Sequence, residues 1–145
     1  MKKKIILISG PTATGKSSLA IKISELVDGE IINADSIQLY KDLTILTARP
    51  SLEKEKIKHH LYGVLDAEIS WSVGRWVNEV KVLSEEIIQN NKTPIIVGGT
   101  GFYFKAITDG LSPIPDIKPS IREELNGDVL KNGLESVYKD LQLAD

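Results

Sequence analysis

The chain has no cysteine, one methionine and only 6% aromatic residues. Without cysteine there is neither a disulfide framework nor a thiolate metal site, and the composition fits a reducing, cytoplasmic compartment. No apolar run approaches the ~20 residues that a membrane-spanning helix needs. Lys2-Lys3-Lys4 and the apolar stretch after them look like the start of a secretory leader. That stretch breaks at Ser9-Gly10-Pro11, however, and reads instead as a strand. Nor does one sign of charge dominate. A formal net charge of −2 gives no global attraction to nucleic acid, so such a partner has to meet a local patch. Internal repeats and low-complexity tracts are lacking too. What is present is an ordinary globular composition, 41% hydrophobic and 26% charged, in 145 residues, enough for one domain with a core.

Against this plain background one stretch carries chemistry. Gly10-Pro11-Thr12-Ala13-Thr14-Gly15-Lys16-Ser17 fits the pattern G-x-x-x-x-G-K-[ST]. The apolar run Ile5-Ile6-Leu7-Ile8 precedes it, and Ser18 to Ile23 follow with helical spacing, so the setting is strand, loop, helix. Gly10 and Gly15 let the backbone curl so that successive N–H groups face an anion. The helix N-terminus beyond them favours negative charge, Lys16 adds a positive one, and the Ser17 hydroxyl is placed to bind Mg²⁺. Read alone, the loop suggests nucleotide and ATP binding with phosphoryl transfer. The plainer alternative is a glycine-rich turn opening an ordinary helix.

The rest of the pattern predicts an α/β fold, a P-loop NTPase-like parallel sheet flanked by helices. A helix is expected from about Ser17 to Val27, burying Leu19, Ile23, Leu26 and Val27, with Gly29 as its C-terminal cap. Glu30 to Asn33 reads as a short strand ending at Ala34-Asp35-Ser36, which topology sets on the same sheet edge as the phosphate loop. From Gln38 to Leu65 an irregular excursion includes Pro50-Ser51 and the charged run from Glu53 to Lys58, and His59 to Leu65 returns as a strand. Ser72 opens the clearest helix, with Val73, Trp76, Val77, Val80, Leu83, Ile87 and Ile88 at helical spacing. Pro94 to Val97 is a buried strand, Gly98-Gly99-Thr100-Gly101 a second glycine-rich turn, and Phe102 to Ile107 a helix. Residues 1–112 form the expected core. Residues 113–145 are set off by Pro113, Pro115 and Pro119, with Ser120 and Glu123 as a capping box and a last helix over Leu134 to Leu141. Few strands for such a sheet, and no closing signal at Leu143-Ala144-Asp145, suggest a piece of a longer protein.

Several residues admit two readings. Asp35 either caps the next segment or binds Mg²⁺ through water, or it is a general base beside a bound electrophile. Thr100 either caps the following helix or offers its hydroxyl to a ligand. His59-His60 suggests a metal, but adjacent strand residues face opposite ways and no partner has ligand spacing. Trp71 and Trp76 read as core or rim rather than a base-stacking platform. Arg122 is a solvated arginine or a phosphate contact.

Taken together, five segments resemble the tRNA dimethylallyltransferases, also called tRNA isopentenyltransferases. They are Gly10 to Ser17, Glu30 to Tyr40, Thr47-Ala48-Arg49-Pro50, His59-His60-Leu61 and Pro94 to Tyr103, and the likeness covers most of residues 4–125. Leu46 departs from it, standing where the family usually has glycine. The resemblance implies transfer of a dimethylallyl group from its diphosphate to N6 of the adenosine beside the tRNA anticodon. Asp35 would then be the base and Thr100 a hydrogen-bonding group at the reacting centre. Gly10, Pro11, Thr12, Ala13, Thr14, Gly15, Lys16 and Ser17 would hold the diphosphate, with Mg²⁺ on Ser17. Asp35, Ser36, Ile37, Gln38, Thr100 and Arg122 would meet the tRNA, and residues 113–145 would begin a helical tRNA-binding insertion. The implied partners are the tRNA anticodon stem-loop and dimethylallyl diphosphate, with no membrane and a monomeric chain. Family members run to about twice this length, with further strands and arginines in the remainder. A small-molecule kinase using ATP, or a non-catalytic nucleotide- or RNA-binding fragment, would share the loop.

Overall fold

The computed structural model describes residues 4–49, 56–113 and 117–144. Pro50-Ser51, the start of the charged run at Glu53, and Pro115 lie outside these residues. The chain divides into two units, Met1–Leu111 and Ser112–Asp145.

In the first unit β1 (Ile6–Ser9), β2 (Gly29–Asn33), β3 (His59–His60) and β4 (Thr93–Gly98) form one sheet in the order β1-β4-β2-β3. Every pairing is parallel; Ile6 to Ser9 run beside Ile95 to Gly98, and Gly29 to Asn33 beside Thr93 to Val97. Parallel strands need crossovers, which here are helices α1 (Lys16–Val27) and α2 (Val73–Gln89), while α3 (Gly101–Thr108) follows β4. Because successive strand residues face opposite ways, β2 and β4 feed two cores. Ile31, Ile95 and Val97 join Ile8 and Ala20 of α1 on one face. Ile32 and Ile96 join Trp76, Val77, Val80, Tyr103 and Phe104 of α2 and α3 on the other. β4 is therefore apolar almost throughout, as expected of a strand covered on both sides, whereas β2 sets Ile31 and Ile32 between the buried polar residues Glu30 and Asn33.

The expected α/β sheet is present, with local corrections. The buried face of α1 is Ala20 and Ser24, whereas Leu19, Leu26 and Val27 are exposed. Small side chains let α1 lie close on β2 and β4, and this packing, rather than the leucine spacing, sets the helix's rotation. The helix ends at Asp28, in the left-handed conformation at φ 48, and Gly29 is already the first residue of β2. A Cβ there would stand 2.7 Å from Ile95 Cδ1, so glycine serves close strand packing and not a cap. The strand expected over His59 to Leu65 is only two residues long, and Leu65 makes an isolated bridge to Tyr40.

In α2 the Ser72 side chain caps the helix by accepting from Arg75 N at 3.2 Å. Trp76 is fully buried, stacks on Tyr103 with ring centroids 4.2 Å apart, and donates Nε1–H to Asn33 O at 3.0 Å. It is a core residue that also braces the carboxyl end of β2.

The second unit contains α4 (Pro119–Asn132) and α5 (Leu134–Ala144), joined at Gly133, φ 81. Ser120 is not the cap. Pro119 starts α4 and Lys118 is the N-cap, because proline's fixed φ and missing N–H suit the first helical position. Neither helix buries a residue.

Candidate active site

Two glycine-rich connections meet at the carboxyl edge of this sheet. After β1 the chain turns through Ala13 at φ 63 and Gly15 at φ 82 before α1 begins. Such turns aim consecutive N–H groups into one concavity. Gly15 holds the N-cap position without a side-chain cap, so the first N–H groups of α1 stay open. The loop is held in shape from within: Thr14 Oγ1 donates to Pro11 O at 2.8 Å, and Lys16 Nζ also donates to Pro11 O.

Beyond β2, Asn33 sets the position of Asp35. Its buried side chain donates to Asp35 O and to Leu61 O, each at 2.9 Å, and accepts from Asp35 N at 2.9 Å. Asp35 Oδ1 accepts from Ile37 N at 3.0 Å and Gln38 N at 3.4 Å. One carboxylate oxygen is thus engaged in a local turn. Oδ2 has no hydrogen-bond partner among the described residues and would lie 3.9 Å from a Cβ built on Gly99. That same Cβ would be 3.7 Å from Gly10 O, so Gly99 is the point where the phosphate loop and Asp35 come together. Gly98 is tighter still: a Cβ there would fall 2.1 Å from the Ala34 carbonyl.

Thr100 stands at the N-cap of α3, yet its hydroxyl does not cap that helix. It accepts from Ser36 N at 3.0 Å and lies 3.4 Å from Ser36 Oγ, while Thr100 N donates to Ala34 O. The second glycine-rich turn is therefore tied to the residues flanking Asp35. Gln38 Nε2 donates to Thr47 O at 2.9 Å and anchors the irregular segment after β2.

Part of this edge encloses a cavity of about 470 Å³, a common size for a small-molecule site, although Gly10, Pro11, Ser36 and Thr100 are not on its wall. Thr12 to Ser17, Asp35, Ile37 and Gln38 are on its wall. Arg122 belongs to α4 of the second unit and is exposed. Composition and spacing did not point to Leu46, Ala48 or Tyr62 as wall residues, nor to Asn33 as the residue fixing Asp35. They come from an irregular segment and a strand end, where periodicity carries no signal. Burial, and then the nearby Asp35 carboxylate, push the Tyr62 phenol well above its ordinary range, so it stays neutral.

The family model described as IPP transferase matches residues 38–145. This chain belongs to the IPP transferase family. It is 48% identical over 141 residues to the tRNA dimethylallyltransferase of Rhizobium rhizogenes, covering 97% of this chain and 47% of that protein. To the tRNA dimethylallyltransferase of Pelagibacter ubique it is 49% identical over 143 residues, 98% of this chain and 46% of the relative. The chain spans about half the length of the curated relatives it matches. Among solved structures, the tRNA isopentenylpyrophosphate transferase of Bacillus halodurans superimposes with a TM-score of 0.73 at 32% identity, covering 99% of this chain and 48% of that one. A eukaryotic dimethylallyltransferase acting on tRNA gives 0.74 at 32% identity, over 90% of this chain and 33% of the other. The IPP transferase model starts beyond the phosphate loop and Asp35, whereas these relatives and structures also cover the amino-terminal part.

The described residues hold no group of three or more His, Asp or Glu side chains suited to a metal. The cavity wall offers instead the Ser17 hydroxyl, which has no partner among the described residues. That sparse oxygen set suits Mg²⁺, which takes one or two protein ligands and completes its shell with phosphate oxygens and water.

Proposed function

We propose that this chain carries the diphosphate-holding and base-bearing part of a tRNA dimethylallyltransferase. The reaction moves a dimethylallyl group from its diphosphate to N6 of the adenosine next to the anticodon in tRNA. The observation that carries this reading is the shared cavity of the phosphate loop and Asp35 Oδ2.

The N6 amine is a weak nucleophile, because its lone pair is delocalised into the ring. Asp35 Oδ2 accepts a hydrogen bond from the amine, orients it and takes its proton as the N–C bond forms. The C–O bond to diphosphate breaks, and its electron pair leaves with the diphosphate. The loop N–H groups, the open end of α1 and Lys16 meet the charge that develops there. Mg²⁺, held at Ser17, would supply further positive charge against the same leaving group. Thr100 supports the centre through its bond to Ser36 N, beside Asp35. Asp35, Ser36, Ile37, Gln38, Thr100 and Arg122 are the proposed tRNA contacts. The adenosine leaves its stack to enter the cavity, as base-modifying chemistry requires. The setting is the cytoplasm, with a monomeric chain.

The test is mass spectrometry of tRNA from cells with and without the intact gene. Prenylated adenosine present in the first and lost from the second is the expected result. Unchanged modification, together with transfer of the ATP γ-phosphate to a metabolite by the protein, would replace this reading with a kinase.

A further inference from the structure

We infer that Leu46 seats the hydrocarbon of the allylic diphosphate and so lets this site tell that substrate from other phosphate compounds; the inference rests on the function just proposed. The lining of the cavity is chemically divided. The β1–α1 connection contributes backbone N–H groups, Lys16 and hydroxyls, whereas the chain after β2 adds apolar surface from Ile37, Leu46, Ala48 and the Tyr62 ring beside the polar Asp35, Gln38 and Thr47. A phosphate loop by itself is indifferent to what the phosphate is attached to. Selection has to come from the second wall.

Leu46 is the unusual member of that wall, because its side chain is left 83% exposed although the segment bearing it is tied down. Thr47 N, Ala48 N and Arg49 N donate to Leu43 O, Ile45 O and Thr44 O at 3.0–3.1 Å. Arg49 Nη1 donates to Tyr40 O at 3.0 Å and Nη2 to Thr44 Oγ1 at 2.6 Å. The guanidinium also crosses Gly63 so closely that a Cβ there would fall 2.1 Å from Nη1, which fastens the segment against the return after β3. Gln38 closes the other side through its bond to Thr47 O. An isobutyl group held in water beside a phosphate site gains when an apolar group covers it. Of the ligands such a loop takes, inorganic diphosphate and the phosphates of a nucleotide offer no hydrocarbon. The five-carbon tail of dimethylallyl diphosphate does.

The test is calorimetric titration of the chain with inorganic diphosphate and with dimethylallyl diphosphate, in Mg²⁺ buffer. The protein should bind the allylic compound more tightly. Leu46→Ala should weaken that affinity about tenfold, the effect of uncovering a few carbons, and leave inorganic diphosphate unchanged. Leu46→Met should restore the preference, since it returns apolar surface without the same shape. Unchanged affinity of Leu46→Ala for dimethylallyl diphosphate would overturn the inference, as would a parallel loss for both ligands, which would mean that Leu46 acts only through loop shape. If the unsubstituted chain binds neither diphosphate, the functional reading falls first and this inference with it. A normal melting curve for the variants, expected because Leu46 is exposed, keeps these outcomes apart.

Discussion

The two ends of the parallel sheet both carry polar groups, and they treat them in opposite ways. Near the start of β2, the Glu30 side chain is almost buried and fully engaged. It accepts from His60 Nε2 at 2.7 Å and from Lys92 Nζ at 3.0 Å, with Lys58 Nζ at 4.0 Å. At the carboxyl end Asp35 Oδ2, the Ser17 hydroxyl and the first N–H groups of α1 have no partners among the described residues. Left-handed residues in the loop and a near-contact at Gly98 shape that end further. Satisfied polar groups at one end hold strands and crossovers together, whereas unsatisfied, fixed groups at the other are ready for a ligand. Stability and the proposed function thus divide along a single sheet.

The largest effect that would break this division is expected at Asp35. In a full-length background Asp35→Ala should lower the proposed prenyl transfer by roughly 10²–10⁴-fold, the range for loss of a general base, while inorganic diphosphate binding and the melting midpoint change little. Near-normal turnover in steady-state assays would take the base out of the site. Gly98→Ala should act on the fold. Its new Cβ meets the Ala34 carbonyl, and the forced shift costs about 3 kcal/mol, read as a lower urea midpoint. Lys16→Ala should weaken inorganic diphosphate by at least about tenfold through loss of a charge-assisted contact, without lowering the melting midpoint. A variant that melted much earlier would mean that Lys16 is structural at an end assigned to binding.

The smallest effect should come from Glu30→Gln and appear only as a pH dependence. Burial alone raises the Glu30 carboxyl, but the hydrogen bonds from His60 and Lys92 outweigh it and hold the group below its ordinary range. Lys92 is raised in turn, chiefly by the same hydrogen bond. A depressed carboxylate contributes stability that is present above its unfolded pKa and is lost as pH falls through the folded one. Urea midpoints taken from neutral pH down through the carboxylate range should therefore fall less steeply for Glu30→Gln than for the parent. Identical slopes would show that the pairing at this end adds nothing.

Much of this division was legible beforehand. Gly10 to Ser17 announces an anion site through residue type and setting, and α2 announces its buried face because it has a single sheet-facing stripe. Helix α1 differs. Leu19 and Leu26 suggested a stripe, but the rotation of the helix is set by how near Ala20 and Ser24 let it approach the sheet. Ser120 misled in a similar way, because Pro119 fixes the helix start more firmly than a favourable cap. The places of Leu46, Ala48 and Tyr62 on the cavity wall carry no periodic signal, since they belong to irregular chain, and Arg49 and Gln38 hold the segment of Leu46 and Ala48 across distances that spacing does not measure.

The sequence by itself determined that a phosphate loop joins strand to helix, that two buried parallel strands flank a crossover, and that Asp35 and Thr100 end those strands. These are local consequences of side-chain period and backbone freedom. Only the tertiary structure decided that Asn33 engages the Asp35 backbone while the turn takes Oδ1, that Thr100 spends its hydroxyl on Ser36, and that Glu30 rather than Asp35 is the paired carboxylate. Those outcomes depend on which groups meet across separate strands and loops, and hydrogen bonds and close contacts of that kind are settled by distance in space.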